Sequence, residues 1–110
     1  VCGGAAAALL AGARLGSHLD ALVTVGGRAD LAGPAALASI RAGTLLLAGS
    51  EDAQALKSND AAYQHLRCER SEAVIPGAGP ALDEPAVLAH AAEMAANWYA
   101  THLALQEAMA

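Results

Sequence analysis

The chain contains no phenylalanine, and aromatic residues make up only 3% of its 110 positions. Positive charge is also scarce, because six lysines and arginines stand against 11 acidic residues and leave a net charge of −5 at pH 7. The six basic residues are scattered singly or in pairs along the sequence. Since phosphate binding needs clustered lysine and arginine, this distribution predicts that the protein has no nucleic-acid partner.

Cysteine is limited to Cys2 and Cys68, which are too few for a disulfide framework and have no Cys/His spacing typical of a zinc site. We therefore expect a reduced, cytoplasmic setting and no bound metal. No GxGxxG or Walker pattern is present, so no nucleotide cofactor is predicted. The apolar opening, residues 1–13, is shorter than the roughly 20 residues that span a bilayer, and no membrane contact is expected.

Hydrophobic residues nevertheless make up 55% of the sequence, and 31 of the 110 residues are alanine. Charged residues account for only 15%. A chain that is rich in apolar residues and poor in charge is not expected to be disordered. Its length fits one small domain, residues 1–110.

Apolar runs alternate with helix-forming stretches. Strands are predicted at residues 19–25, 44–48 and 72–75, and helices at residues 5–15, 34–40, 53–67 and 84–106. This alternation predicts an α/β fold, with a short parallel sheet of about three strands flanked by helices. The opening helix follows no strand, and the chain begins at Val1 without a methionine. We therefore expect an N-terminal half to be absent, which would expose a sheet edge and favour self-association.

A cysteine stands directly before the first predicted helix, in the sequence Cys2-Gly3-Gly4. A sharp turn into a helix exposes the side chain, and the backbone N–H groups of a helix N-terminus favour a thiolate. The N–H of Gly3, the residue after the sulfur, is placed to stabilise an oxyanion. The pattern is also compatible with a small buried cysteine in a glycine-rich turn.

Acidic residues follow two of the predicted strands at the end where open α/β sheets gather functional groups. Asp52 follows the second strand, where it can orient a base histidine or cap the helix that begins near Ala53. Asp30 has the same two interpretations, and beside Arg28 it is also expected to form a solvated ion pair. The four histidines, His18, His65, His90 and His102, lie outside the loops that follow strands, so structural or solvent-facing roles are expected for them.

Several motifs in order resemble the dienelactone hydrolase-like family of α/β-hydrolases, including forms fused to a phosphoribosyltransferase. VCGGAAAALL resembles the nucleophile elbow G-x-S/C-x-G followed by alanines, and TVGGRADLAG, TLLLAGSED and a W-x-x-x-H-L ending at Leu103 follow it. Asn59 is similar to an asparagine of the same family. The resemblance implies the C-terminal half of an α/β-hydrolase fold.

The resemblance also implies residue roles. Cys2 matches the nucleophile, Gly3 an oxyanion-hole donor and Asp52 the acid of the triad. The family pattern P-G-A-x-H-x-x-x-E-P places the base histidine where this chain has Pro80, and proline has no proton to transfer.

The predicted function is therefore that of a fragment or truncated paralogue of an ester or lactone hydrolase. It is expected to be inactive alone and, if completed, to act on a small-molecule ester or lactone. The alternative is a non-catalytic α/β interaction module that keeps the fold without the chemistry.

Overall fold

The computed structural model describes the backbone of residues 4–109 and the side chains of residues 4–103. Helices and strands alternate over this range in the predicted order. They are α1 (Gly4–Leu15), β1 (Ala21–Val25), α2 (Pro34–Ser39), β2 (Gly43–Gly49), α3 (Ala53–His65), β3 (Arg70–Ile75) and α4 (Pro85–Met109). Two short 3₁₀ helices, Gly16–His18 and Ala29–Ala32, flank β1. No helix within this range is both long and apolar enough to cross a membrane.

The three strands form one parallel sheet with β2 in the centre and β1 and β3 at its sides. Ala21 is paired with Gly43 at the start of β1, and Thr44 with Arg70 at the start of β3. Because all strands run the same way, the loops that follow them emerge at the same edge of the sheet. The predicted α/β fold with three parallel strands is confirmed.

Helices cover both faces of the sheet, and the side chains of β2 alternate between the two. Leu46 joins Leu9 of α1 and Leu37 of α2 in a core on the face covered by α1, α2 and α3. Leu45 and Leu47 point to the other face and pack with residues of α4. Every residue of β2 is therefore buried.

The two outer strands are less buried than β2. In β3, Glu72 and Val74 are exposed on alternate positions, as expected for a strand at the side of a sheet. This strand also begins at Arg70, two residues before the predicted start, because its polar first residues hide it from a search for apolar runs. β1 begins at Ala21 rather than at residue 19, since the preceding 3₁₀ helix ends at His18.

Candidate active site

Asp52 lies directly after β2 and begins α3. Its Oδ1 accepts a hydrogen bond of 3.1 Å from the backbone N–H of Ala55, which is the helix cap that the sequence allowed. The residue is only 8% exposed. Its other oxygen, Oδ2, takes no part in this cap and lies toward Gly26 at the end of β1, 3.9 Å from the point where a Cβ on that glycine would stand. The cap therefore uses one carboxylate oxygen and leaves the second on the side of β1.

The loop after β3 is fastened to the end of β2. Gly77 donates its N–H to Ser50 Oγ at 2.8 Å, and Glu51 donates its N–H to the carbonyl of Ala78 at 2.9 Å. Gly49 makes this approach possible, because a Cβ there would overlap the backbone carbonyl of Ala78. These contacts hold residues 77 and 78 against the end of β2, two positions before Pro80.

A cleft of about 490 Å³ opens where the three loops meet at the carboxyl edge of the sheet. The loop after β1 lines it with residues 25–28, the start of α3 with residues 52–55, and the loop after β3 with residues 80–82. Asp52 and Pro80 therefore both line this cleft. Cys2 and Gly3 lie outside the described residues, so the structure does not place the predicted nucleophile and oxyanion donor.

Leu82 contributes a large apolar side chain to the cleft wall. It is the one non-glycine residue with a positive φ, 52°, among those that the structure describes. Its side chain packs against the core on the α4 face, and its Cδ1 lies 3.5 Å from the point where a Cβ of Gly26 would stand. A bulky side chain in this left-handed conformation carries backbone strain of roughly 1 kcal/mol or more.

Arg28 and Asp30 form a bidentate ion pair beside the cleft, with Nε–Oδ1 and Nη2–Oδ2 distances of 2.9 Å each. The hydrogen bonds from Arg28 lower the pKa of Asp30 to about 2, partial burial opposes the shift, and a hydrogen bond with Ser58 adds to it. The expected ion pair is present, but it is not fully solvated, since both side chains are about 30% exposed. Ser58 lies on α3, so the carboxylate of Asp30 is close to that helix.

Arg28 also lines a second cleft, of about 530 Å³, between the loop after β1 and α3. Lys57 and Gln54 face this cleft together with the Arg28–Asp30 pair. Sequence reasoning found Arg28 and Asp30 but missed Ser58. No sequence signal identifies a serine in the middle of a helix as the partner of a distant carboxylate.

None of the four histidines lines the Asp52 cleft. His65 and His90 are exposed on α3 and α4, and His18 ends the 3₁₀ helix before β1. His102 is buried near the opposite edge of the sheet. Among the side chains of residues 4–103, no group of three or more histidines, cysteines, aspartates or glutamates is arranged to hold a metal ion.

The fold is that of an α/β protein with a parallel sheet, and the cleft lies where the segments that follow the three strands meet. The crystal structure of a dienelactone hydrolase from Anabaena variabilis superposes on the chain with a TM-score of 0.84 and 35% sequence identity. The match covers 90% of this chain and 45% of that enzyme. The chain thus has the architecture of part of a dienelactone hydrolase.

Two curated relatives from Mycobacterium tuberculosis, strains CDC 1551 and H37Rv, carry the name "Putative phosphoribosyl transferase". Each is 39% identical over 100 residues, which is 91% of this chain and 22% of the relative. The chain therefore spans less than a quarter of the length of the curated relatives and less than half of the Anabaena enzyme. No family model matches the chain.

Proposed function

We propose that the chain carries the nucleophile and the acid of an ester or lactone hydrolase of the dienelactone hydrolase-like family, with proline at the position of the base. One observation carries this proposal: Asp52 and Pro80, on loops after different strands, line one cleft at the carboxyl edge of the sheet. The 35% identity to a dienelactone hydrolase at a TM-score of 0.84 supports the family assignment. The mycobacterial relatives, named as phosphoribosyl transferases, fit the fused forms of that family.

In the proposed reaction, the thiolate of Cys2 attacks the carbonyl carbon of an ester or lactone. The carbon–oxygen bond breaks, the alkoxide leaves with a proton, and water hydrolyses the resulting thioester. The N–H of Gly3 would stabilise the oxyanion that forms during attack. A base would take the thiol proton and return it to the leaving oxygen, and Asp52 would hold that base in position.

Pro80 removes the proton carrier from this scheme. The loop residues 76–82 contain no titratable side chain, and no histidine lines the cleft. Loss of the base in a comparable catalytic group lowers kcat by several orders of magnitude. We therefore propose that the chain has at most residual hydrolase activity.

A non-catalytic α/β interaction module is the second candidate, and it is favoured by the proline at position 80, the position that the resemblance assigns to the base. The two candidates differ in the state of Cys2. An activated thiol is alkylated well below the free-thiol pKa of about 8.5. The module predicts that Cys2 reacts as an ordinary thiol.

The first experiment measures the rate of alkylation by iodoacetamide against pH. The Cys68→Ser variant leaves only Cys2 to react, and the matched Cys2→Ser variant gives the rate of Cys68. Rapid reaction of Cys2 near neutral pH, absent from the Cys2→Ser variant, supports the hydrolase. Equal pH profiles for the two thiols support the module.

The second experiment restores the base. The chain is joined to the part of the Anabaena dienelactone hydrolase that it does not cover, and hydrolysis of an activated ester is measured. Pro80→His is expected to raise the rate above that of Pro80→Ala, which removes the proline without adding a base. Cys2→Ala should abolish the gain, and Asp52→Asn, which can still cap α3, should reduce it. A histidine variant no faster than the alanine variant would show that Pro80 is not the base position.

A further inference from the structure

The loop after β3 is fixed at both ends but not in its middle. The carbonyl of Ala78 accepts the N–H of Glu51 at 2.9 Å, and α4 begins at Pro85. Between these points, residues 79–83 make no backbone hydrogen bond with any other described residue. Side-chain contacts must therefore hold this part of the loop at the cleft.

Leu82 supplies such a contact. Its neighbours Ala81 and Asp83 are exposed, whereas the side chain of Leu82 packs against the core on the α4 face. Its Cδ1 and the Oδ2 of Asp52 both lie within 4 Å of the point where a Cβ of Gly26 would stand, at 3.5 and 3.9 Å. Leu82 therefore anchors the loop on the side of the carboxylate oxygen that does not cap α3.

The backbone conformation of Leu82 also indicates an anchor. Its φ is 52°, in the left-handed region, where the Cβ of a leucine crowds the following carbonyl oxygen. Such a conformation persists only where the surrounding structure imposes it, and residues held in this way cluster at functional sites. Since no backbone hydrogen bond to a described residue imposes it here, the packing of the side chain does.

We propose that Leu82 is a positioning residue, whose anchored side chain holds residues 79–83 at the Asp52 cleft and determines where position 80 lies in it. Pro80 and Leu82 line this cleft together and are only two positions apart in the chain. Loss of the anchor would open the loop without unfolding the sheet and would admit water to Asp52, which is only 8% exposed. The consequence for a base at position 80 rests on the proposed function, whereas the anchoring of the loop does not.

The first experiment measures how accessible Asp52 is and makes no use of activity. The full chain is labelled with a water-soluble carbodiimide and an amine, and peptide mass spectrometry gives the initial rate at Asp52 relative to that at exposed Glu93. Leu82→Ala removes the anchor. We expect the relative rate at Asp52 to rise about tenfold, because truncation of an apolar contact increases the population of the locally open state.

Val87→Ala is the matched control, because Val87 packs against the same core but does not line the Asp52 cleft. Leu82→Met keeps an apolar side chain of similar volume and should be labelled at the rate of the wild type. Glycine adopts a positive φ without strain, so Leu82→Gly tests the loss of the anchor in a less strained loop and should be labelled as fast as Leu82→Ala. Equal rates at Asp52 in Leu82→Ala, Leu82→Gly and Val87→Ala would overturn the proposal.

The second experiment uses the chain that carries Pro80→His and is joined to the uncovered part of the Anabaena enzyme. Leu82→Ala should lower kcat there about tenfold and by more than it raises KM, because a base out of position slows the chemical steps. Leu82→Met should keep most of the rate, and Val87→Ala should not change it. An inactive Pro80→His chain would contradict the proposed function, and the labelling rates would still decide whether Leu82 holds the loop. An unchanged kcat in an active Leu82→Ala chain would show that Leu82 does not position residue 80.

Discussion

Arg28 holds Asp30 through two parallel hydrogen bonds of 2.9 Å, although only one residue separates them in the chain. The pair lies in the loop after β1, and Asp30 and Ser58 of α3 line the same neighbouring cleft. The loop after β1 and the start of α3 both line the Asp52 cleft, with residues 25–28 and residues 52–55. An ion pair outside the proposed catalytic group therefore stands beside the cleft, where the loop after β1 approaches α3.

Replacement of Asp30 should make the protein less stable at neutral pH but not in strong acid. The pKa of Asp30 is lowered from 3.8 to about 2, so its ionised form stabilises the fold above about pH 4 and this contribution is lost as the pH falls through about 2. Asp30→Asn should cost about 1 kcal/mol at pH 7. Urea unfolding measures this, and Asp83→Asn, at an exposed position, is the control. An equal loss at pH 7 and at about pH 2 would contradict the role assigned to the pair.

The approach of Ala78 to Gly49 predicts a strong effect of one methyl group. Gly49→Ala would drive its Cβ into the carbonyl of Ala78, so either the loop or β2 must move. We expect a loss of roughly 1–3 kcal/mol in the free energy of unfolding. Gly79→Ala, in the same loop, is the matched control because a Cβ there meets nothing within 4 Å. Chemical denaturation of the two variants should separate them clearly, and equal stabilities would show that the loop is not held against β2.

Glu72 should limit stability at alkaline pH. Although the residue as a whole is exposed, local desolvation of its carboxyl group and the neighbouring carboxylate of Asp60 raise its pKa from 4.5 to about 7. A carboxyl group that keeps its proton in the folded state stabilises the fold most below about pH 4.5, and this stabilisation is lost as the pH rises through 7. Glu72→Gln should therefore raise the melting temperature at about pH 8 relative to wild type and have little effect at about pH 4. The same substitution at exposed Glu93 should change neither value.

The sheet edge formed by β1 should mediate self-association of the chain. In the described part of the chain β1 pairs with β2 alone, its sequence ALVTV contains no charge, and Val25 is 41% exposed. A charged residue on an edge strand opposes edge-to-edge pairing. Val25→Lys should therefore lower the apparent mass in sedimentation equilibrium at micromolar concentration.

The control for this test lies on the other outer strand. Val74 is 46% exposed on β3, which already carries Arg70 and Glu72. Val74→Lys should leave the apparent mass unchanged. A monomeric wild-type chain, or an equal effect of both lysines, would argue against association through β1.

The order of helices and strands could be predicted from the sequence because each apolar run ends at glycine or proline. The run that became β2 was found almost to the residue, since its side chains are buried on both faces. The start of β3 was missed because Arg70 and Ser71 are polar and lie at the side of the sheet, where polar residues are tolerated. The boundaries of β2 are predictable and the start of β3 is not, because the burial of a strand depends on its position in the sheet. The local sequence does not contain that position.

The candidate site could be predicted only in part. The position of Asp52 after β2 follows from the run TLLLAGS. That Asp52 should lie close to Pro80 is implied by the family resemblance alone. The contact between Gly49 and Ala78 and the pairing of His102 with Glu69 join residues far apart in sequence. No periodicity in the sequence links such residues, so these contacts can be identified only in the folded structure.

The two oxygens of Asp52 have different surroundings, because Oδ1 caps α3 and Oδ2 lies toward Gly26. This difference affects how an aspartate at the same position of a related chain should be interpreted. Oδ1 caps the N-terminus of α3 by accepting a hydrogen bond from the N–H of Ala55. Selection for folding alone would therefore retain an aspartate at this position in a chain without catalytic activity. Under the proposed function, an aspartate at this position would then be a poor indicator of an active esterase. In related chains, the residue at the position of Pro80, which lines the same cleft, should therefore be compared together with this aspartate.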